Sequence, residues 1–390
     1  MSVNDRDRAD GDRVTDYSLH GLITIRLVNA PRKALAELEY LLGPSQGIPA
    51  AEPDVRIVYT SRLWPRNRLR YIGLREAAYD DESFYLVSQK GRLARFDFAQ
   101  LGERTEFVCE PGASIFPYLL PVLSLRLLNK GYVMLHAAAL VHAGAGILKT
   151  GWQKGGKTEL LLSFMAAGAR YVADEWTIVS PTERKMWGVS GTLQIWDWHL
   201  RYLPGYWQRL RPAERRRLRL LRLYQRLYRL VPAAWQGRGL AGEWLHRLSL
   251  DGGNALWGQA RSSPARLFGA QVWSGAVPID LIFLAGVAPA ISVAPVAPDE
   301  IARRMVASLA FERRSLVALY QKFKYAFPGR QNAFLEGAEG TELRYLAQTL
   351  RSLPAYELMH PYPVALPDLY KACLPVVSEI GRTYPERVAP

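Results

Sequence analysis

The chain has 390 residues, enough to bury a large core, and a formal net charge of +14. Its two cysteines, Cys109 and Cys373, offer neither a disulfide framework nor metal-ligand spacing. Its six histidines contain no H-x-x-x-H pair, so a zinc enzyme is set aside and a reducing compartment is expected.

Residues 1–17 are crowded with Asp and Arg and read as a disordered lead-in. Residues 18–112 read as a strand-rich domain. Its short β-branched and aromatic runs are Leu22–Val28, Arg56–Leu63, Arg68–Leu74, Phe84–Val87, Leu93–Phe98 and Thr105–Glu110, with a helix near Arg32–Leu42. Arg66-Asn67, Asp80-Asp81 and Lys90-Gly91 are the turn signals between them. A second domain is expected over 113–375. It opens with a buried helix, Ser114–Asn129, which stops at Asn129-Lys130-Gly131.

Two strand-like runs, Tyr132–Val141 and Gly146–Thr150, then lead into Gly151-Trp152-Gln153-Lys154-Gly155-Gly156-Lys157-Thr158. This fits G-x-x-x-x-G-K-[ST], the phosphate-binding P-loop. Glycines let backbone N–H groups curl round a phosphate, Lys157 can reach the β/γ-phosphates, and the Thr158 hydroxyl can ligate Mg²⁺. The following helix, near Thr158–Ala167, points its positive end at the anion. A short strand, Arg170-Tyr-Val-Ala-Asp174-Glu175, then ends in two acids. Strand, glycine-rich loop, helix, strand and acid pair are the setting a nucleotide site needs. Trp152 and Trp176 flank it, either stacking on a base or packing in the core, and Lys154 is either a phosphate contact or an exposed lysine.

A Trp-rich stretch, Trp187 to Trp207, contains an alternating strand at Gly191–Trp198. A helical insertion is expected over about 205–265. From Arg209 to Arg247 there are eleven Arg against two Glu, so the positive charge is local and argues against a general nucleic-acid coat. Within it, Arg209–Val231 reads as an amphipathic helix. Leu220, Leu223, Tyr224, Leu227, Tyr228 and Leu230 lie on one side, and Arg215, Arg219, Arg222, Arg226 and Arg229 on the other. Three readings stand for the Arg stripe: a solvated face, a dock for an acidic peptide or protein, and an anionic membrane surface, with Tyr206, Trp207 and Trp235 at its ends. A glycine turn at 251–254, a buried strand run at Val277–Leu284, a helix at Pro298–Phe311, a mobile stretch, a helix at Glu342–Ser352, a strand at Ala355–Met359 and a tail at 376–390 complete the expectation. No run of about 18 apolar residues exists, so no transmembrane helix is expected.

Met134-Leu-His136-Ala-Ala, the P-loop, and Ala166-Ala-Gly168-Ala-Arg-Tyr-Val-Ala-Asp174-Glu175 together resemble the HPr serine kinase/phosphorylase superfamily. Pro278-Ile-Asp-Leu-Ile-Phe-Leu-Ala-Gly and Pro295-Val-Ala-Pro298 with its following helix add to the likeness, which spans roughly residues 115–365. The strand-rich start looks more like the HPr-kinase-related proteins of peptide-modifying pathways. The resemblance implies an α/β fold with a P-loop kinase core, using ATP and Mg²⁺. It implies that Gly151, Gly155, Gly156 and Lys157 hold phosphates, that Thr158 with Asp174 and Glu175 serves the metal, that Asp174 accepts the proton of the attacking hydroxyl, and that His136 sits beside the reacting phosphate. Glu175 stands where the family commonly has Asp. The downstream motif tied to phosphorylase activity has no counterpart. The expected activity is transfer of the γ-phosphoryl group to a Ser or Thr hydroxyl of a small protein or biosynthetic peptide, in the cytoplasm or peripheral to a membrane. A non-catalytic nucleotide-binding regulatory or scaffold module, and a kinase acting on a small molecule or glycan, stand beside it.

Overall fold

The computed structural model describes residues 13–63, 68–88, 90–229 and 258–383. The fold is mixed α/β. Its first part is one eight-stranded mixed sheet: β1 (Val14–Leu19), β2 (Ile23–Val28), then α1 (Arg32–Leu42), β3 (Val55–Tyr59), β4 (Arg70–Ile72), β5 (Ala77–Tyr79), β6 (Phe84–Val87), β7 (Leu93–Phe96) and β8 (Thr105–Cys109). The order is β1-β2-β3-β8-β7-β6-β5-β4. The β2 and β3 strands run parallel because α1 carries the chain back between them, and β3 pairs parallel with β8. The helix buries Ala34, Leu38 and Leu42, the i, i+4, i+8 stripe of an amphipathic helix.

α2 (Phe116–Asn129), buried on most sides, leads to β9 (Val133–Leu135), β10 (Ala138–His142) and β11 (Ala145–Gly151). α3 (Lys157–Ala166), β12 (Arg170–Ala173), β13 (Trp176–Ser180), β14 (Lys185–Val189) and β15 (Leu193–Trp196) follow. Then come α4 (Pro204–Trp207), α5 (Pro212–Arg229), β16 (Gln259–Ser262), α6 (Pro264–Phe268), β17 (Val277–Pro278), β18 (Leu281–Val287) and β19 (Ser292–Pro295). The chain closes with α7 (Pro298–Ala326), α8 (Ala333–Glu336), α9 (Ala338–Leu350), β20 (Ala355–His360) and α10 (Leu366–Thr383). A six-stranded sheet, β12-β10-β11-β18-β20-β19, carries the glycine-rich loop at the end of its fully buried strand β11, which pairs parallel with β18. A four-stranded sheet, β17-β14-β13-β9, and the β15–β16 pair complete the set.

One continuous buried cluster runs from the eight-stranded sheet through α2, α7 and α9 to Ile282 and Leu284 of β18. A second cluster packs α3 and α10 against the P-loop sheet. A buried ion pair, Arg313 of α7 with Glu342 of α9, fixes those two helices, one of its two bonds measuring 3.0 Å.

The structure corrects several sequence expectations. Strand β1 begins at Val14, inside the expected disordered lead-in, because Tyr17 and Leu19 pack into the core. The run Tyr132–Val141 is two strands in different sheets, broken at His136, and Val277–Leu284 likewise divides into β17 and β18. The stretch after Phe311, expected to be mobile, continues α7 to Ala326. Leu316, Leu319, Tyr320 and Phe323 supply a buried i, i+3, i+4, i+7 face. The expected tail is helical through Thr383, where α10 buries Cys373 and Val377.

The basic helix is turned relative to expectation. Leu218 and Leu221 pack inward, while Leu220, Leu223 and Leu227 are 61%, 53% and 56% exposed. Arg222 binds Asp197 (2.8 Å) and lies 4.5 Å over the Trp207 ring, with Arg219 beside it. At least part of the Arg stripe therefore holds the helix to the body instead of lying free. The expectations for residues 1–12, Arg66-Asn67, Leu230, Val231, Trp235, Arg238, Arg247, the turn at 251–254 and 384–390 lie outside the described residues. Among the described residues no helix is long and apolar enough to cross a membrane.

Candidate active site

The glycine-rich loop expected to bind phosphate joins the end of β11 to the start of α3. Gly151 ends the strand at φ +143, and a Cβ there would lie 2.5 Å from the Ala285 carbonyl of β18. Gly156 has φ +78, and a Cβ there would lie 2.0 Å from His360 Nε2. Only glycine fits both the backbone and the space. Gly155 N–H closes a turn onto the Trp152 carbonyl at 3.1 Å. The chain then enters α3 without a side-chain cap, so its first N–H groups keep the orphan donors that suit an anion.

Lys157 is buried and folds back into the loop, donating to the Trp152 carbonyl (3.0 Å) and the Gly151 carbonyl (3.4 Å). Burial lowers its pKa, against the pull of Glu175, Asp174, Glu312 and Glu159. Lys154 is exposed, and Trp152 is 52% exposed, its ring 4.9 Å from Phe311. Beneath the loop, fully buried Lys149 of β11 donates to the Gly156 carbonyl. Burial pushes its pKa down to about 7, with Glu159 opposing.

The chain turns at the end of β12 to place Asp174 against α3. Thr158 Oγ1 donates to Asp174 Oδ2 at 3.1 Å. Asp174 is buried, and its Oδ1 has no hydrogen-bond partner. Burial first, then the charge of Glu175, raises its pKa from 3.8 to about 8. An orphaned buried carboxylate oxygen beside a P-loop threonine fits a site built for an absent ligand.

Glu175 turns the other way. Its Oε2 meets His136 Nε2 at 3.0 Å, while His136 Nδ1 meets Glu312 Oε1 at 2.7 Å. Burial opposes the charge on His136, but the two carboxylates outweigh it and raise its pKa. Both ring nitrogens face carboxylates, an arrangement that favours the doubly protonated ring. Trp176 stacks on it at 5.2 Å. Gln153 of the P-loop donates to the same Glu312 oxygen at 2.7 Å, so Glu312 ties the loop to His136.

The structure thus brings together His136, Gln153, Lys157, Thr158, Asp174 and Glu175, and it sets Glu175 on His136 instead of on Thr158. Sequence reasoning missed Glu312, a mid-helix acid with no local signal. It also missed the buried pair Glu159–His199 (3.1 Å). Trp196 N–H donates to His199 Nδ1, so Nε2 carries the proton toward Glu159. Lys149 had a signal, as a lone lysine in an apolar strand. No protein-family model matches the chain, and no curated protein matches it.

Proposed function

We propose that this chain is an ATP-dependent kinase with a P-loop core of the HPr-kinase-like kind, moving the γ-phosphoryl group to a hydroxyl. The observation that carries the reading is the convergence of Lys157, Thr158 and Asp174, with Oδ2 of the acid on the threonine and Oδ1 left without a partner. In the reaction the acceptor oxygen attacks the γ-phosphorus and the new O–P bond forms. The bond from that phosphorus to the β,γ-bridging oxygen breaks, ADP leaves, and the hydroxyl proton passes to Asp174 Oδ1. Lys157 exchanges its two loop carbonyls for phosphate oxygens. His136, held between Glu175 and Glu312, presents positive charge near the reacting group.

Thr158 Oγ1 and Asp174 Oδ2 would hold Mg²⁺. Among the described residues no group of three or more metal-binding side chains exists, which suits a cation that takes one or two protein oxygens and the rest from phosphates and water. When bound, Mg²⁺ neutralises charge on the β- and γ-oxygens. Asp174 serves both roles through different oxygens.

Titration of a fluorescent ATP analogue against the parent and Lys157→Ala tests the reading. A charge-assisted hydrogen bond contributes about 1.5–3 kcal/mol, so affinity should fall roughly 10- to 150-fold. Equal affinity in the two proteins rules out the P-loop assignment. Binding without any ATP turnover in the parent points to a regulatory module.

A further inference from the structure

A cavity of about 240 Å³ borders Asp174, the residue that Thr158 binds. Asp174, Glu175 and Trp176 form one wall, Thr192 and Gln194 another, and Tyr40 and Leu41 at the end of α1 the third. None of residues 151–158 borders it. Asp174 therefore touches the nucleotide loop through Thr158 and this cavity through its remaining surface. A cavity beside the carboxyl that would take the acceptor's proton is a candidate place for the acceptor.

We propose that this cavity is the acceptor site of the kinase reading, on which it rests. We further propose that it takes an uncharged hydroxyl on an apolar or aromatic stem no larger than one amino acid. Three observations carry this. The volume exceeds the roughly 150 Å³ that holds a benzene ring and falls below the roughly 300–1,000 Å³ of drug-sized sites. The walls are mostly apolar or aromatic, with Thr192 and Gln194 to orient a polar group. Among the described residues no Lys or Arg lines the cavity, so an acceptor bearing a carboxylate or phosphate finds no cationic side chain there to pair with.

The eight-stranded domain builds the third wall, and builds it rigidly. Thr192 N–H donates to the Tyr40 carbonyl at 3.1 Å, and a Cβ on Gly191 would lie 2.5 Å from the Leu41 carbonyl. Tyr17 Oη reaches the carbonyls of Leu42 and Gly43 at 3.2 and 3.1 Å, pinning the end of α1. The N-terminal domain thus selects the acceptor. The transfer joins the acceptor oxygen to the γ-phosphorus of ATP, releases ADP and leaves the proton on Asp174.

Incubation of the full chain with ATP radiolabelled at the γ-phosphate and the amides of N-acetylserine, N-acetylthreonine and N-acetyltyrosine tests this. At least one amide should take label, and its free-acid counterpart should take at least tenfold less. Thr192→Phe, which puts a ring into the cavity, should cut labelling at least tenfold while the affinity for a fluorescent ATP analogue stays within twofold. Labelling of a folded protein or long peptide but none of the amides overturns the proposal, as does undiminished labelling by Thr192→Phe. Absence of ATP binding in the parent would instead overturn the kinase reading itself.

Discussion

Asp174→Asn probes the site without any acceptor. The carboxyl is 3% exposed, and burial with the charge of Glu175 raises its pKa from 3.8 to about 8. Between those values the folded protein holds a proton that the unfolded chain has released. The stability of the neutral, buried form is therefore full below the unfolded pKa and is lost as pH rises through the folded one. The slope is at most about 1.4 kcal/mol per pH unit. From pH 5.5 to 7.5 the parent should lose about 2–3 kcal/mol relative to Asn, which has the same shape and no proton to release. Urea unfolding of both proteins at three pH values in that interval measures the difference. A gap that grows in favour of Asn as pH rises is the expected result. A constant gap refutes a resting protonated carboxyl. In the kinase reading the same carboxyl takes the acceptor's proton. A carboxyl titrating at about 8 passes from mostly protonated to mostly ionised between pH 7 and pH 9, so kcat/KM for ATP should rise severalfold across that range. Asp174→Asn should remove the rise and lower turnover roughly 10²–10⁴-fold.

Arg313→Leu strands Glu342 as an unpaired buried charge and should cost about 3–5 kcal/mol in urea unfolding. Arg313→Leu with Glu342→Leu should recover most of it, and a single variant as stable as the parent counts against the pair. Gly156→Ala meets both a left-handed backbone, costing roughly 1–2 kcal/mol, and the His360 ring. It should weaken binding of a fluorescent ATP analogue, and adding His360→Ala should restore only the part due to the clash. Full affinity in Gly156→Ala alone contradicts the loop geometry.

The strand, glycine-rich loop, helix and following strand were legible because their signal is local. Glycine spacing, a flanking strand and a following helix sit within 25 consecutive residues, and the helix Arg32–Leu42 was equally plain from its apolar stripe. What failed was long-range. A break at His136 sends two halves of one apolar run into different sheets, which no periodicity reveals. The basic helix carries two leucine sets, and packing chose Leu218 and Leu221 because Asp197 and Trp207 await the neighbouring Arg222. Glu312 lies 176 residues from His136, and Tyr40 lies 134 from Asp174, so only the folded chain could join them.

The charges brought together by those long-range contacts surround the carboxyl whose pKa burial raises most. Glu175 and Glu312 each face His136, and Lys157 lies close enough to feel both. Burial first, and then the charge of Glu175, makes an ionised Asp174 costly and favours its protonated form. Positive charge arriving at Thr158 and Asp174 would reverse that preference, as bound cations do for neighbouring acids. In the kinase reading Asp174 would therefore give up its proton as the loop is loaded, and would be ionised when the acceptor's proton has to move.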